Sequence, residues 1–121
     1  MRTAIALAIG IVALSAWHGT SPDRVNLPTV ASDTVVIREV VRHRLGPNTL
    51  SVERPPYSRA IADGSVFVVD ADGVAHRVRV RYGRVAGPMI EIISGLSFGD
   101  RVIVSDMSAF DQFERLRIRT F

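Results

Sequence analysis

The chain has 121 residues, 15 basic and 12 acidic side chains, a formal charge of +3 and no cysteine. That length suits one small domain, and the lack of cysteine excludes a disulfide framework, a thiolate metal site and a cysteine nucleophile. Every basic residue is arginine, which also excludes a Schiff-base lysine and the lysine of a P-loop. Arginine in place of lysine fits bidentate recognition of phosphate and fits equally a compositional preference.

The first element, "MRTAIALAIGIVALSAW", has Arg2 as a small basic start and an apolar or small run from Thr3 to Ala16. It reads as an apolar helix serving as an export signal or a short membrane anchor over residues 1–17. Ala13, Leu14 and Ser15 form a small-x-small cleavage pattern. The run is short of the ~20 residues that a spanning helix needs. Residues 18–33, rich in Pro, Ser, Thr and Asp, read as a linker. A β domain is then expected over residues 34–121.

"TVVIREVVRHRLG" (Thr34 to Gly46) has β-branched density that favours a strand, closed by Gly46-Pro47-Asn48. "TLSVERPPY" (Thr49 to Tyr57) reads as a short extended segment ended by Pro55 and Pro56. The clearest signal follows. Val66 to Val69 is an apolar strand, and Asp70 to Gly73 is a tight turn in which Gly73 takes positive φ. Val74 to Tyr82 returns with strict alternation, so Val78, Val80 and Tyr82 face the core and Arg77, Arg79 and Arg81 face away. Gly87-Pro88 turns the chain into the strand Met89 to Ile93. Arg101 to Ser105 is the next strand, and "DMSAFDQF" a single helical turn capped by Asp106 or Ser108. "RLRIRTF" points Leu116 and Ile118 inward and Arg115, Arg117 and Arg119 outward. The fold class expected is all-β: a small barrel or sandwich of six or seven mostly antiparallel strands.

Few residues carry a chemical signature. "SGLSFGD" (Ser94 to Asp100) has three residues between its glycines and an aspartate after the second, so it is not a Walker loop. It reads as a turn, with Gly95 and Gly99 at unusual backbone angles, Asp100 closing it, and Leu96 and Phe98 anchoring it to the core. "DADG" has its glycine fourth, not sixth as in an EF-hand, so Asp70 and Asp72 read as turn formers. His18, His43 and His76 share no metal-ligand spacing, and no nucleophile-elbow pattern occurs. No catalytic residue, metal site or cofactor is expected, and the chain is read as non-enzymatic. A small hydrolase is the competing expectation and needs a histidine beside a nucleophile. The exposed arginines Arg77, Arg79, Arg81 and Arg84 are the expected partner-binding residues. Nucleic acid is not the expected partner, because Tyr82, Phe98 and Phe113 fall at core or turn positions and not beside the arginine rows. A basic module binding anionic lipid or nucleic acid remains an alternative.

The second half resembles a known family. Tyr82-Gly83-Arg84, Ile90-Glu91-Ile92, Ser94-Gly95-Leu96 and Gly99-Asp100-Arg101-Val102-Ile103 occur in the order found near the end of periplasmic adaptor proteins, the membrane fusion proteins of the HlyD type. The tail "SDMSAFDQFERLRI" is similar to adaptors that serve ABC-type exporters, and "LSVERPP" to the segment before their hairpin. The resemblance runs from about Leu50 to Ile118. It implies the membrane-proximal β domain, whose first strand here is "TVVIREVVRHRLGP". It also implies a periplasmic location at the inner membrane, docking on an ABC-type or RND-type transporter, and contacts with other adaptor subunits. Typical adaptors carry an α-hairpin, a lipoyl-like domain and a further barrel between those two parts, where this chain has only Gly46-Pro47. A truncated remnant of an adaptor is therefore the alternative expectation.

Overall fold

The alternation from Val66 to Tyr82 is realised as a long hairpin around which the other strands assemble. The computed structural model describes residues 27–119. The expected signal or anchor and most of the expected linker lie outside those residues. Among the described residues nine strands occur: β1 Thr29–Ala31, β2 Ile37–Glu39, β3 Val41–Arg42, β4 Leu50–Glu53, β5 Asp63–Val69, β6 Val74–Ala86, β7 Met89–Ser94, β8 Arg101–Ile103 and β9 Arg115–Arg119. Two 3-10 turns, Ser32–Thr34 and Ser108–Phe110, are the helical elements of the described chain.

Hydrogen-bonded neighbours run β2–β8–β5–β6–β7–β4–β3. Only Val40 separates β2 from β3, so the path returns to its start and the sheet is a nearly closed antiparallel barrel. Val40 is fully buried. Its amide donates to the Asp100 carbonyl and its own carbonyl accepts from the Gly99 amide, both at 2.9 Å. The strand expected over Thr34 to Gly46 is therefore two short strands hinged at Val40, the first paired with β8 and the second with β4. A straight strand cannot serve both neighbours.

β6 spans 13 residues and also has two neighbours on one edge. Val74 to His76 pair with β9, and Arg81 to Ala86 pair with β7. Register shifts around Tyr82 bend the strand between the two. β1 pairs parallel with β9, and Val30 is buried there. The folded domain thus includes Thr29–Ala31, which the polar composition of residues 18–33 had placed in a linker.

Side-chain alternation splits the core in two. Val40, Val52, Val66, Val80, Tyr82, Ile90, Ile92 and Val102 fill the barrel. Phe67, Val69, Ala75, Ile103, Leu116 and Ile118 form a second cluster on the outer face, with Met107, Phe110 and Phe113 packed against it. Each fully buried Val, Ile, Leu or Phe contributes roughly 1.5–3 kcal/mol. The outer cluster lets five-residue β9 hold its place, since Leu116 and Ile118 are both buried.

The Asp70–Gly73 turn is fastened by its first residue. Asp70 Oδ1 accepts from the amides of Asp72 and Val74 at 2.9 and 3.0 Å, and Oδ2 meets His76 Nε2 at 2.8 Å. Gly73 has φ +81°. Burial pulls the Asp70 carboxyl upward, but it is outweighed by hydrogen bonds from His76, Val74 and Asp72 and by the His76 charge. The net shift is downward. A carboxyl lowered by folding stabilises above its unfolded value and loses that contribution as pH falls through the folded value. Thermal midpoints from pH 7 to pH 3 are expected to fall less steeply for Asp70→Asn than for the parent. Parallel curves would show that this carboxylate plays no part in acid sensitivity.

Candidate interaction surface

In an antiparallel pair, residues directly opposite share a face. The β5–β6 register pairs Phe67 with Arg77, Ser65 with Arg79 and Asp63 with Arg81. The three arginines therefore do lie on the side away from the barrel interior. What covers that side differs along the row.

At Arg77 the chain from Ser105 to Glu114 crosses over the sheet. Arg77 Nε donates to the Phe113 carbonyl at 3.0 Å, Nη2 to the Phe110 carbonyl at 2.8 Å and Nη1 to Ser65 Oγ at 3.1 Å. Its guanidinium stands 4.5 Å over the Phe67 ring, and Glu114 lies at 3.5 Å. Only 17 % of the side chain is exposed. Arg77 is thus a clamp for the crossing segment, with little of its side chain left at the surface on which a partner was expected. Alternation gave the correct side, but the covering layer comes from more than thirty residues further along the chain.

Beyond the crossing segment the row is open. Arg79 is exposed and has no partner among the described residues. Arg81 reaches Asp63 at 2.9 Å, with both side chains more than half exposed. Arg84 donates to the Leu45 carbonyl and stands 3.8 Å from Glu91. Exposed ion pairs of this kind are worth about 0–1 kcal/mol, so an incoming anion can replace them at little cost. A shallow groove bounded by Asp63, Ser65, Arg79, Arg81 and Ser94 runs along this strip. The second row, on β9, pairs with the opposite end of β6 and is not continuous with it.

The Gly95–Asp100 loop closes the barrel beside this strip. Gly95 and Gly99 have φ +104° and +88°. Asp100 Oδ2 accepts the Ser97 amide at 2.8 Å, and the Asp100 amide returns to the Ser97 carbonyl at 3.1 Å. The loop's carboxylate is spent on its own backbone. Leu96 is buried as expected, whereas Phe98 is 54 % exposed with the Arg42 guanidinium 3.9 Å over its ring. The expectation that Phe98 anchors the loop to the core is corrected: it is held by a cation–π contact on the surface.

A groove of about 290 Å³ opens beside β5, lined by Tyr57, Ser65, Phe67, Arg77, Tyr82 and Asp111 among others. The Tyr82 hydroxyl, pushed up to about 12 by burial, stays protonated through the physiological range. At the rim, hydrogen bonds from the Ser108 amide and hydroxyl, with a further one from Tyr57, hold the Asp106 carboxyl below its ordinary value. The guanidinium of Arg77 is already committed to carbonyls and a hydroxyl, so it does not offer this groove an open anion site. Of the two described histidines, His76 is bound to the turn carboxylate and His43 Nδ1 accepts the Asn48 amide at 3.3 Å. Among the described residues no group of three or more His, Cys, Asp or Glu side chains is placed to hold a metal ion.

Comparison of the chain with protein-family models, with curated proteins and with solved structures returned no match in any of the three.

Two surface features had escaped the sequence reading. Tyr57 and Ile61 lie in the loop between β4 and β5, are 80 % and 75 % exposed, and both have positive φ, +67° and +53°. Ile93, the fifth residue of β7, is 56 % exposed. The signal was present in part: "PPYSRAIA" places bulky apolar residues in a segment with no strand period.

Proposed function

We propose that this chain is a non-enzymatic, periplasmic adaptor-type domain that docks on an inner-membrane transporter. The observation that carries the reading is the open cationic strip of Arg79, Arg81 and Arg84, beside the loop whose residues bear the resemblance to adaptors. Guanidinium groups pair with carboxylates in planar, bidentate geometry, so the complementary surface is an acidic one. The hinged segment Ile37–Arg42, which closes the barrel between β8 and β4, supports the reading further. The resemblance implies that the first strand joins the C-terminal strands in one domain.

The test is affinity capture of the tagged chain from gently solubilised native membranes, with mass spectrometry of the retained proteins. A stoichiometric transporter is expected. Its retention should fall at least about tenfold when Arg79 and Arg81 are both changed to glutamate, as reversal of close interfacial charges costs several kcal/mol. Arg77 is left intact in this variant, because its loss would disturb the fold. Retention of no transporter would overturn the docking reading and leave the resemblance as a statement of ancestry. Undiminished retention by the double variant would place the contact on another face.

A further inference from the structure

We infer that the outer face around Ile61 and Ile93 docks on the surface of an anionic lipid bilayer. The two isoleucines meet at one glycine. The Ile61 amide donates to the Gly83 carbonyl at 2.9 Å. Ile93 Cδ1 lies beside the same Gly83, so close that a Cβ there would be 2.9 Å from it. Both side chains remain mostly exposed. Ile61 does so at φ +53°, a conformation that a β-branched residue adopts only where its surroundings impose it. The loop thus holds a large apolar side chain in water, against local backbone preference.

The setting of this pair is cationic. Arg59 precedes Ile61 by two residues, Arg84 follows Gly83, and Arg81 is in register with Ser94 next to Ile93. Arg79 lies one step along the same strip. Against these four guanidinium groups stand the carboxylates of Asp63 and Glu91, each near one of the arginines. Exposed apolar side chains ringed by cations combine the two attractions that hold a protein at an interface: burial among acyl chains and attraction to acidic headgroups.

A second copy of the chain fits this face poorly. A two-fold contact would set guanidinium groups against one another. Two isoleucines also fall far below the ~800 Å² per partner of a stable interface. Phosphate headgroups meet the same arginines with the opposite charge.

The absence of cysteine allows a direct test in the full chain. Ile61→Cys and Ile93→Cys are each labelled with a polarity-sensitive fluorophore, and Asp72→Cys, on the turn at the far end of the hairpin, serves as control. Vesicles contain phosphatidylglycerol and brominated phosphatidylcholine, or the brominated zwitterionic lipid alone. Labels at 61 and 93 should shift to the blue and be quenched by the anionic vesicles, and the label at 72 should not. The response should weaken about tenfold or more with Arg59→Glu and Arg79→Glu together. It should also weaken as salt is raised toward about 1 M, where screening acts within ~3 Å. Because the signal is read at the labelled positions, attachment through another part of the chain does not mimic it. Equal responses at all three positions, or equal responses to both lipid mixtures, would overturn the inference. So would a shift without vesicles that grows with protein concentration, which would assign the face to contact between copies. No transporter is present, so the outcome is independent of the docking reading above.

Discussion

Replacing Arg77 with alanine is expected to lower the stability of the domain by about 2–4 kcal/mol, whereas Arg79→Ala, two residues along the same strand, should cost about 0.5 kcal/mol or less. The difference follows from what each guanidinium touches. Arg77 donates to two main-chain carbonyls and a hydroxyl beneath the crossing segment. Truncation would leave those acceptors short of a donor in a partly buried setting, and would remove the cation over Phe67. A hydrogen bond to a charged group contributes about 1.5–3 kcal/mol, and the three are not additive. Arg77→Lys should recover less than half of the loss, because one ammonium cannot reproduce a fork that addresses Phe110, Phe113 and Ser65 together. Urea denaturation at constant m-value measures all three variants. Equal midpoints for Arg77→Ala and Arg79→Ala would mean that Phe110 and Phe113 hold the crossing segment by packing alone.

The same contrast marks the limit of alternation as a guide to function. A period of two says which side of a strand a residue occupies, and here it placed Val80 and Tyr82 inside and the arginines outside, as observed. It carries no information about what lies over the outer side. That layer is built from Met107, Phe110 and Phe113, whose spacing reads as a turn and whose partners Phe67 and Val69 on β5 and Ala75 on β6 are distant in sequence. One of the four arginines expected at the surface is bonded beneath it. The hinge at Val40 was hidden for a related reason. Residues 34–46 favour a strand through their β-branched density, and the demand for two different neighbours divides them. Thr29–Ala31 was hidden by composition: a single buried valine in a polar stretch suffices when β9 supplies the ladder. Gly73, Gly95 and Gly99, by contrast, could be located from sequence because glycine's preference for positive φ is local.

These differences bear on how a surface is chosen for mutation. Charge reversal of the whole arginine row would combine the loss of a clamp with the loss of the proposed docking strip, and a null result in binding would then report unfolding. Separating Arg77 from Arg79 and Arg81 keeps the two effects apart. The apolar pair at Ile61 and Ile93 lies beside the arginines of that strip, and its pattern announces only half of it. Ile93 continues a run of strand residues, and Ile61 stands alone in a loop. Their relation runs through Gly83, whose carbonyl accepts the Ile61 amide and beside which Ile93 Cδ1 lies.

The glycine loop offers the sharpest test of the barrel's closure. Gly95→Ala is expected to cost about 3 kcal/mol or more, and Gly99→Ala only about 1–2 kcal/mol. Both glycines have positive φ, so both substitutions incur backbone strain. They differ in space. A Cβ at Gly99 meets nothing within 4 Å, while one at Gly95 would fall inside the van der Waals envelope of the Arg79 carbonyl oxygen and lie 3.0 Å from Val80 Cα. The atoms in the way are main chain of β6, the strand that pairs with β5, β7 and β9, and they cannot swing aside as a side chain would. Relief requires the loop to lift, which would draw Leu96 out of the barrel, where it is 8 % exposed. Paired denaturation curves of the two variants therefore subtract the common strain and leave the contribution of close approach. A Gly95→Ala chain as stable as Gly99→Ala would show that the loop is not clamped to β6. The barrel end beside the cationic strip would then be free to reshape on contact with a partner.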